Sequence, residues 1–181
     1  MPERTARWKR GAWLLPLALA LGCGASQSGG AFDGQVYRNG RVAFRVGPVP
    51  QGWRAVEVHG ESLAFRDDAH AASILVNARC GKVDEATPLV ALTNHLLMGS
   101  TDREFISQEK EPFDGREALR TKLRAKWDGV PMALDIFVAS KDGCVYDFVY
   151  MGAPAAYEAG ASGFESFVRG FRTLDGSGVV S

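Results

Sequence analysis

The sequence predicts an α+β domain: an antiparallel sheet of about six to seven strands that ends in a meander, packed with a central and a C-terminal helix. Three observations predict it. Over residues 119–127, Leu119, Thr121, Leu123, Ala125 and Trp127 fall on one side and Arg120, Lys122, Arg124 and Lys126 on the other. That two-residue period belongs to a strand, although the composition alone favours helix. Asp128-Gly129 and Lys141-Asp142-Gly143 then separate two further apolar runs in the manner of short hairpin turns. Phe164, Phe167, Val168 and Phe171 stand at i, i+3, i+4 and i+7, the spacing of a helix with one buried stripe.

The remaining elements follow from the same two periods. Val42, Phe44 and Val46 alternate with Arg41, Ala43 and Arg45, and residues 47–52 carry the Gly and Pro of a turn. Short strands are expected at 53–58 and 62–66, parted by His59-Gly60, and a longer one at 72–80, where Ile74, Val76 and Ala78 share a face. Thr87 reads as an N-cap with Pro88 at the first helical position. Leu89, Leu92 and Leu96 then line one face of the central helix, which Gly99 ends. A strand at 105–111 precedes the meander of 119–127, 132–138 and 144–151. The closing helix is expected over 162–172, opened by a capping box of Ser162 and Glu165.

The 181 residues do not form one uniform chain. Arg4, Arg7, Lys9 and Arg10 precede an apolar run from Gly11 to Leu21, which is the layout of a secretion signal and falls short of the about 20 apolar residues that a spanning helix needs. Ala20-Leu21-Gly22-Cys23 resembles the lipobox of bacterial lipoproteins, in which the cysteine is acylated and becomes the new N-terminus. The resemblance implies a signal peptide over 1–22, a lipid on Cys23 and, from Gly24 at the next position, a destination on the periplasmic face of an outer membrane. The other reading is a secreted chain cleaved near Ala25 or Ser26 without a lipid. Residues 23–35, rich in Gly and Ser, are expected to act as a flexible tether, 36–174 as a single domain and 175–181 as a loose tail.

The full chain has 21 basic and 21 acidic residues, and loss of residues 1–22 removes four bases and one acid, leaving a net charge of −3. Such a chain lacks the broad positive field that a phosphate backbone requires, so nucleic acid is not an expected partner.

The order of these elements, with FRVGPVPQGW near the start, FDGREA in the meander and FESFVRGF in the last helix, resembles the PsbP/Mog1-like superfamily over about residues 36–173. That resemblance implies an α/β/α sandwich around an antiparallel sheet and a scaffold or partner-binding role, and it carries no functional residue over.

Few groupings point to chemistry. Cys80 and Cys144 are the two cysteines left once Cys23 is acylated. They read either as a disulfide favoured by export or as two separately buried thiols. His59, His70 and His95 are scattered, and Asp67-Asp68 with His70 reads as a polar turn before it reads as a cation site. No Gly-x-Ser-x-Gly occurs. The row Arg120, Lys122, Arg124 and Lys126 is either an anion-facing surface or a solvated face balanced by neighbouring acids. The sequence therefore predicts no catalytic residue, metal or cofactor. It predicts a lipid-anchored, non-catalytic binding or accessory module with an envelope protein or small ligand as partner. The alternatives are an envelope enzyme whose site is assembled from distant residues and a purely structural lipoprotein.

Overall fold

A computed structural model describes residues 30–60, 62–81 and 86–174. The signal peptide, Cys23 and the tail at 175–181 lie outside the described residues. Over the described residues the long strands are β5 (Leu63–Asp67), β6 (Ala72–Cys80), β7 (Thr101–Phe113), β8 (Arg116–Trp127), β9 (Val130–Lys141) and β10 (Cys144–Gly152). With the short β4 (Arg54–Ala55) they make one seven-stranded antiparallel sheet in the order β4-β5-β6-β10-β9-β8-β7.

The meander forms because three Asp-Gly pairs close its hairpins. Asp114 and Gly115, Asp128 and Gly129, and Asp142 and Gly143 all have positive φ, between 47° and 80°. That is the backbone a two-residue type I′ turn requires, and Asp and Gly adopt it readily. The predicted strand limits were too narrow: β7 gains residues at both ends of 105–111, and β9 runs from 130 to 141.

Both faces of the sheet are covered. On one face Ile74, Val76, Phe137, Phe148 and Tyr150 meet α2 (Tyr157–Arg169) through Phe164, Phe167 and Val168. On the other, Leu123, Leu134, Ile136, Val138 and Val145 lie beneath α1 (Leu89–Leu96) and Leu97. Burial on both faces explains why β9 and β10 read as nearly continuous apolar runs.

Sequence periodicity missed a second, four-stranded sheet. It consists of β1 (Ala31–Phe32), β2 (Val36–Arg38), β3 (Ala43–Arg45) and β11 (Arg172–Thr173), in the order β1-β2-β3-β11. The alternation of Val42, Phe44 and Val46 marks β3, but β1, β2 and β11, of two or three residues, are too short to display a period. Its aromatic side chains tie it to the main core: Phe32 meets Phe65 edge to face at 5.8 Å, and Phe44 lies 5.8 Å from Phe171. The tether expected through residue 35 is corrected here, since Ala31 and Phe32 already pair with Arg38 and Tyr37.

Both helix starts are also corrected. Pro88, not Thr87, occupies the N-cap of α1, and no side chain caps it. Helix α2 begins at Tyr157, after a 3-10 turn at Pro154–Ala156, and ends at Arg169. Ser162 is thus inside the helix, where its carbonyl accepts from Ser166 Oγ at 3.0 Å, and Glu165 turns to Arg120 instead of closing a capping box. The early start survives two helical glycines because Gly160 lets the Tyr150 ring approach: a Cβ there would stand 2.6 Å from the Tyr150 hydroxyl. That hydroxyl donates to the Tyr157 carbonyl at 2.8 Å, locking the first turn of α2 to β10.

Candidate functional site

The basic row is placed first, because the structure uses it for another purpose. Arg120 is only 11% exposed, and its guanidinium donates to both carboxylate oxygens of Asp135 at 3.0 and 2.7 Å. Asp135 is completely buried. Glu165 at 3.3 Å and Glu111 at 3.5 Å complete the cluster, Arg169 also reaches Glu111, and the Arg120 guanidinium lies 4.7 Å above the Phe137 ring. Arg124 pairs with Glu104 and Lys126 with Asp102, both on β7. The anion-facing reading of the row is therefore corrected: pairing of β7 and β9 against β8 brings acids onto Arg120, Arg124 and Lys126, and Lys122 stands half-buried among them.

The other flagged polar groups resolve as local structure. Asp67 accepts from the backbone N–H of Ala69 and His70 and pairs with His70 Nδ1 at 2.6 Å. The His70 hydrogen bond is the main reason its carboxyl sits below the ordinary range. Asp68 receives a two-pronged contact from Arg54. This is the polar turn expected between β5 and β6. Among the described residues no group of three His, Cys, Asp or Glu side chains is placed to hold a metal ion. Cys80 and Cys144 sit opposite one another in the β6–β10 register, and their sulfurs are bonded.

Asp147 is a group whose importance periodicity did not reveal. It lies on the α1 face of β10, 2% exposed, with Arg79 Nη2 2.7 Å from one oxygen, yet neither oxygen accepts an aligned hydrogen bond. Burial pushes its carboxyl up to about 6 from an ordinary 3.8, against the opposing attraction of Arg79. A native state that holds its proton more tightly than the unfolded chain loses stability as pH rises from 3.8 to about 6, and the cost persists above that. Asp147→Asn is accordingly expected to stabilise the protein at neutral pH by about 2 kcal/mol. It should also flatten the pH dependence across that window. Chemical denaturation at a series of pH values checks this, and an unchanged slope overturns the assignment.

A cleft lies at the end of the sheet that carries the disulfide. Two hairpin turns face each other across a cleft of about 530 Å³. One wall is the β2–β3 turn, held rigid because Asn39 Oδ1 accepts from the N–H groups of Arg41 and Val42 while Asn39 Nδ2 donates to the Tyr37 hydroxyl. This wall presents Arg38 and Arg41. Arg38 reaches Asp33 at 3.5 Å, whereas Arg41 has no acidic partner among the described residues. The opposite wall is the β9–β10 turn, with Asp142 exposed in a left-handed conformation.

Between the walls lie Val42, Cys144 and Tyr146. Tyr146 is 2% exposed, its ring packed 5.0 Å from Phe171, and its hydroxyl has no hydrogen-bond partner among the described residues. Burial pushes that hydroxyl up to about 12, with smaller contributions from Asp142 and Asp114, so it is a hydrogen-bond donor at neutral pH.

Asp114 anchors the cleft from beneath. It accepts from Thr173 N at 2.8 Å, Thr173 Oγ1 at 3.0 Å and Lys141 Nζ at 2.9 Å, joining β11 to the main sheet. Burial opposes its charge, but the Thr173 N–H, Lys141 and the Thr173 hydroxyl together hold its carboxyl below the ordinary range. A smaller cleft of about 300 Å³, bordered by Arg169 and Arg172, lies on the other side of Asp114. Sequence reading did not single out Arg41, Asp142 or Tyr146 as a group, because the pieces lie on two hairpins roughly a hundred residues apart.

A seven-stranded antiparallel sheet clad by helices on both faces, with a small second sheet at one side, makes this an α+β domain whose fold is similar to those of PsbP and Mog1. No family model matches the chain, and no curated protein matches it. Among solved structures it is similar to LpqN of Mycobacterium tuberculosis, described as involved in cell envelope biogenesis, with 14% identity and a TM-score of 0.55 over 73% of this chain and 84% of that one. It is similar to the Ran-binding protein Mog1p of Saccharomyces cerevisiae, at 15% identity and a TM-score of 0.54 over 78% and 94% of the two chains. Cyanobacterial PsbP from Synechocystis sp. PCC 6803 matches at 18% identity and 0.53, over 72% and 86%. At these identities the likeness shows the fold.

Proposed function

We propose that the chain is a lipid-anchored protein of the bacterial cell envelope, held by Cys23 on the periplasmic face of an outer membrane, and that its domain is a non-catalytic binding or accessory module. The observation that carries the reading is the cleft between the β2–β3 and β9–β10 turns: its β2–β3 wall is fixed by hydrogen bonds, and Arg41 and the Tyr146 hydroxyl line it without an acidic or hydrogen-bond partner among the described residues. Arg120 and Asp135, and Lys141 and Asp114, are by contrast committed to structural pairs within the sheet. A Cys80–Cys144 bond supports an exported domain, because such bonds persist in oxidising compartments. The envelope role described for LpqN supports the same compartment.

An acylated Cys23 would hold the domain stably, since each buried CH₂ contributes about 0.8 kcal/mol and two chains suffice. Intact-mass measurement of membrane-extracted protein is expected to show loss of residues 1–22 and addition of acyl chains. Crosslinking in intact cells should then recover a defined partner or a retained small ligand. An unlipidated mass overturns the anchor, and crosslinks and bound molecules no different from background overturn the binding role.

A further inference from the structure

The cleft at the disulfide end displays opposite charges on its two walls, and this limits what fits between them. Arg38 and Arg41 face Asp142 across a space of about 530 Å³, within the range of small-molecule sites. A polyanion such as a phosphate ester satisfies the arginines but meets Asp142 as a like charge. A neutral sugar leaves Arg41 without a counter-charge. A cation alone serves Asp142 and is repelled by the opposite wall. A molecule with one carboxylate and one ammonium, separated by a few bonds, satisfies both walls at once.

The floor sets the rest of the ligand. Val42 is 7% exposed and Cys144 8%, so the base is apolar, with the Tyr146 hydroxyl beside it as a donor without a hydrogen-bond partner among the described residues. That hydroxyl is free to donate to a ligand oxygen that enters the cleft. We infer that this cleft binds a free apolar amino acid or dipeptide, its carboxylate on Arg41, Arg38 and the Tyr146 hydroxyl, its ammonium on Asp142, and its side chains on Val42 and the disulfide. The inference rests on the binding-module reading and names the ligand class for that same site.

Equilibrium dialysis of the detergent-solubilised mature protein tests it with three probes: Leu-Leu, N-acetyl-Leu-Leu and Leu-Leu-amide. Leu-Leu is expected to bind saturably, and each blocked form to bind about tenfold more weakly, as loss of one charge-assisted contact implies. Arg41→Ser should weaken Leu-Leu about tenfold without further weakening Leu-Leu-amide, and Asp142→Asn should do the same with respect to N-acetyl-Leu-Leu. Both side chains are exposed, so these variants keep the fold; Tyr146→Phe, which keeps the ring, should weaken the two probes that retain a carboxylate.

No saturable Leu-Leu binding by about 10 mM, or equal affinity in all variants, overturns the inference. So does saturable binding to phosphatidylethanolamine micelles with no binding of Leu-Leu, which assigns the charges to a lipid head group. A protein that is acylated and crosslinks to a partner yet ignores Leu-Leu loses only this inference, and the binding-module reading stands.

Discussion

Replacing Arg120 with leucine is expected to lower the unfolding free energy by about 3–5 kcal/mol, because it leaves a buried carboxylate without its cation. Asp135 is wholly buried in the α2 face of the sheet, and Arg120 supplies its two-pronged contact at 3.0 and 2.7 Å. The same substitution removes the stacking of the guanidinium on Phe137 and the tie from β8 to Glu165 on α2. The effect is therefore felt in the docking of α2 as well as in the sheet. The double variant Arg120→Leu/Asp135→Leu should recover most of the loss, since two apolar side chains of similar volume need no mutual charge. Urea denaturation of the two singles and the double forms a cycle that isolates the pair. A single Arg120→Leu that costs less than about 1 kcal/mol, the worth of an exposed surface pair, would show that the cluster is solvated.

Removing the Cys80–Cys144 bond is the second large expected effect. The sulfurs close a loop with a sequence separation of 64. Constraining the unfolded chain over that length contributes about 4 kcal/mol in the chain-entropy account. The paired variant Cys80→Ala/Cys144→Ala should lose that amount, and dithiothreitol should reproduce the loss in the unaltered protein. Since β6 and β10 remain paired along eight residues without the bond, the fold should survive in weaker form. The signature is an earlier denaturation midpoint with retained strand content by circular dichroism. A midpoint that does not move on reduction refutes the expectation.

The two effects differ in how far the sequence announced them. A disulfide was one of two readings of Cys80 and Cys144, and the register of β6 against β10 chose between them by placing the two residues directly opposite. Arg120 was visible only as one member of a polar row. Its partner Asp135 stands on the next strand, and Glu165 is 45 residues away on a helix. No local period encodes that distance. Asp147 did leave a mark, as the one acid in the apolar run CVYDFVYM, but whether it would find a partner depended on what lay beneath α1.

The long edge strand shows the same division. A strand at 105–111 was legible in the sequence. The structure adds that β7 is the free edge of the main sheet and that register shifts at Thr101/Glu104 and Phe105/Ser107 interrupt it. With Lys110 and Pro112, these irregularities guard an edge against pairing with another chain.

What the residues determined by themselves was the α+β class, the meander and the apolar stripe of the last helix, because a two-residue or 3.6-residue period and a positive-φ turn are local properties. Tertiary structure alone decided that β3 belongs to a second sheet, whose other strands are too short to carry a period, and the fate of each charge. It also decided the cleft, since Arg41 and Asp142 face one another only after β2, β3 and β11 have docked on the Tyr146 end of the main sheet. Burial and pairing depend on what another part of the chain brings to the same place, and that is written in no single segment.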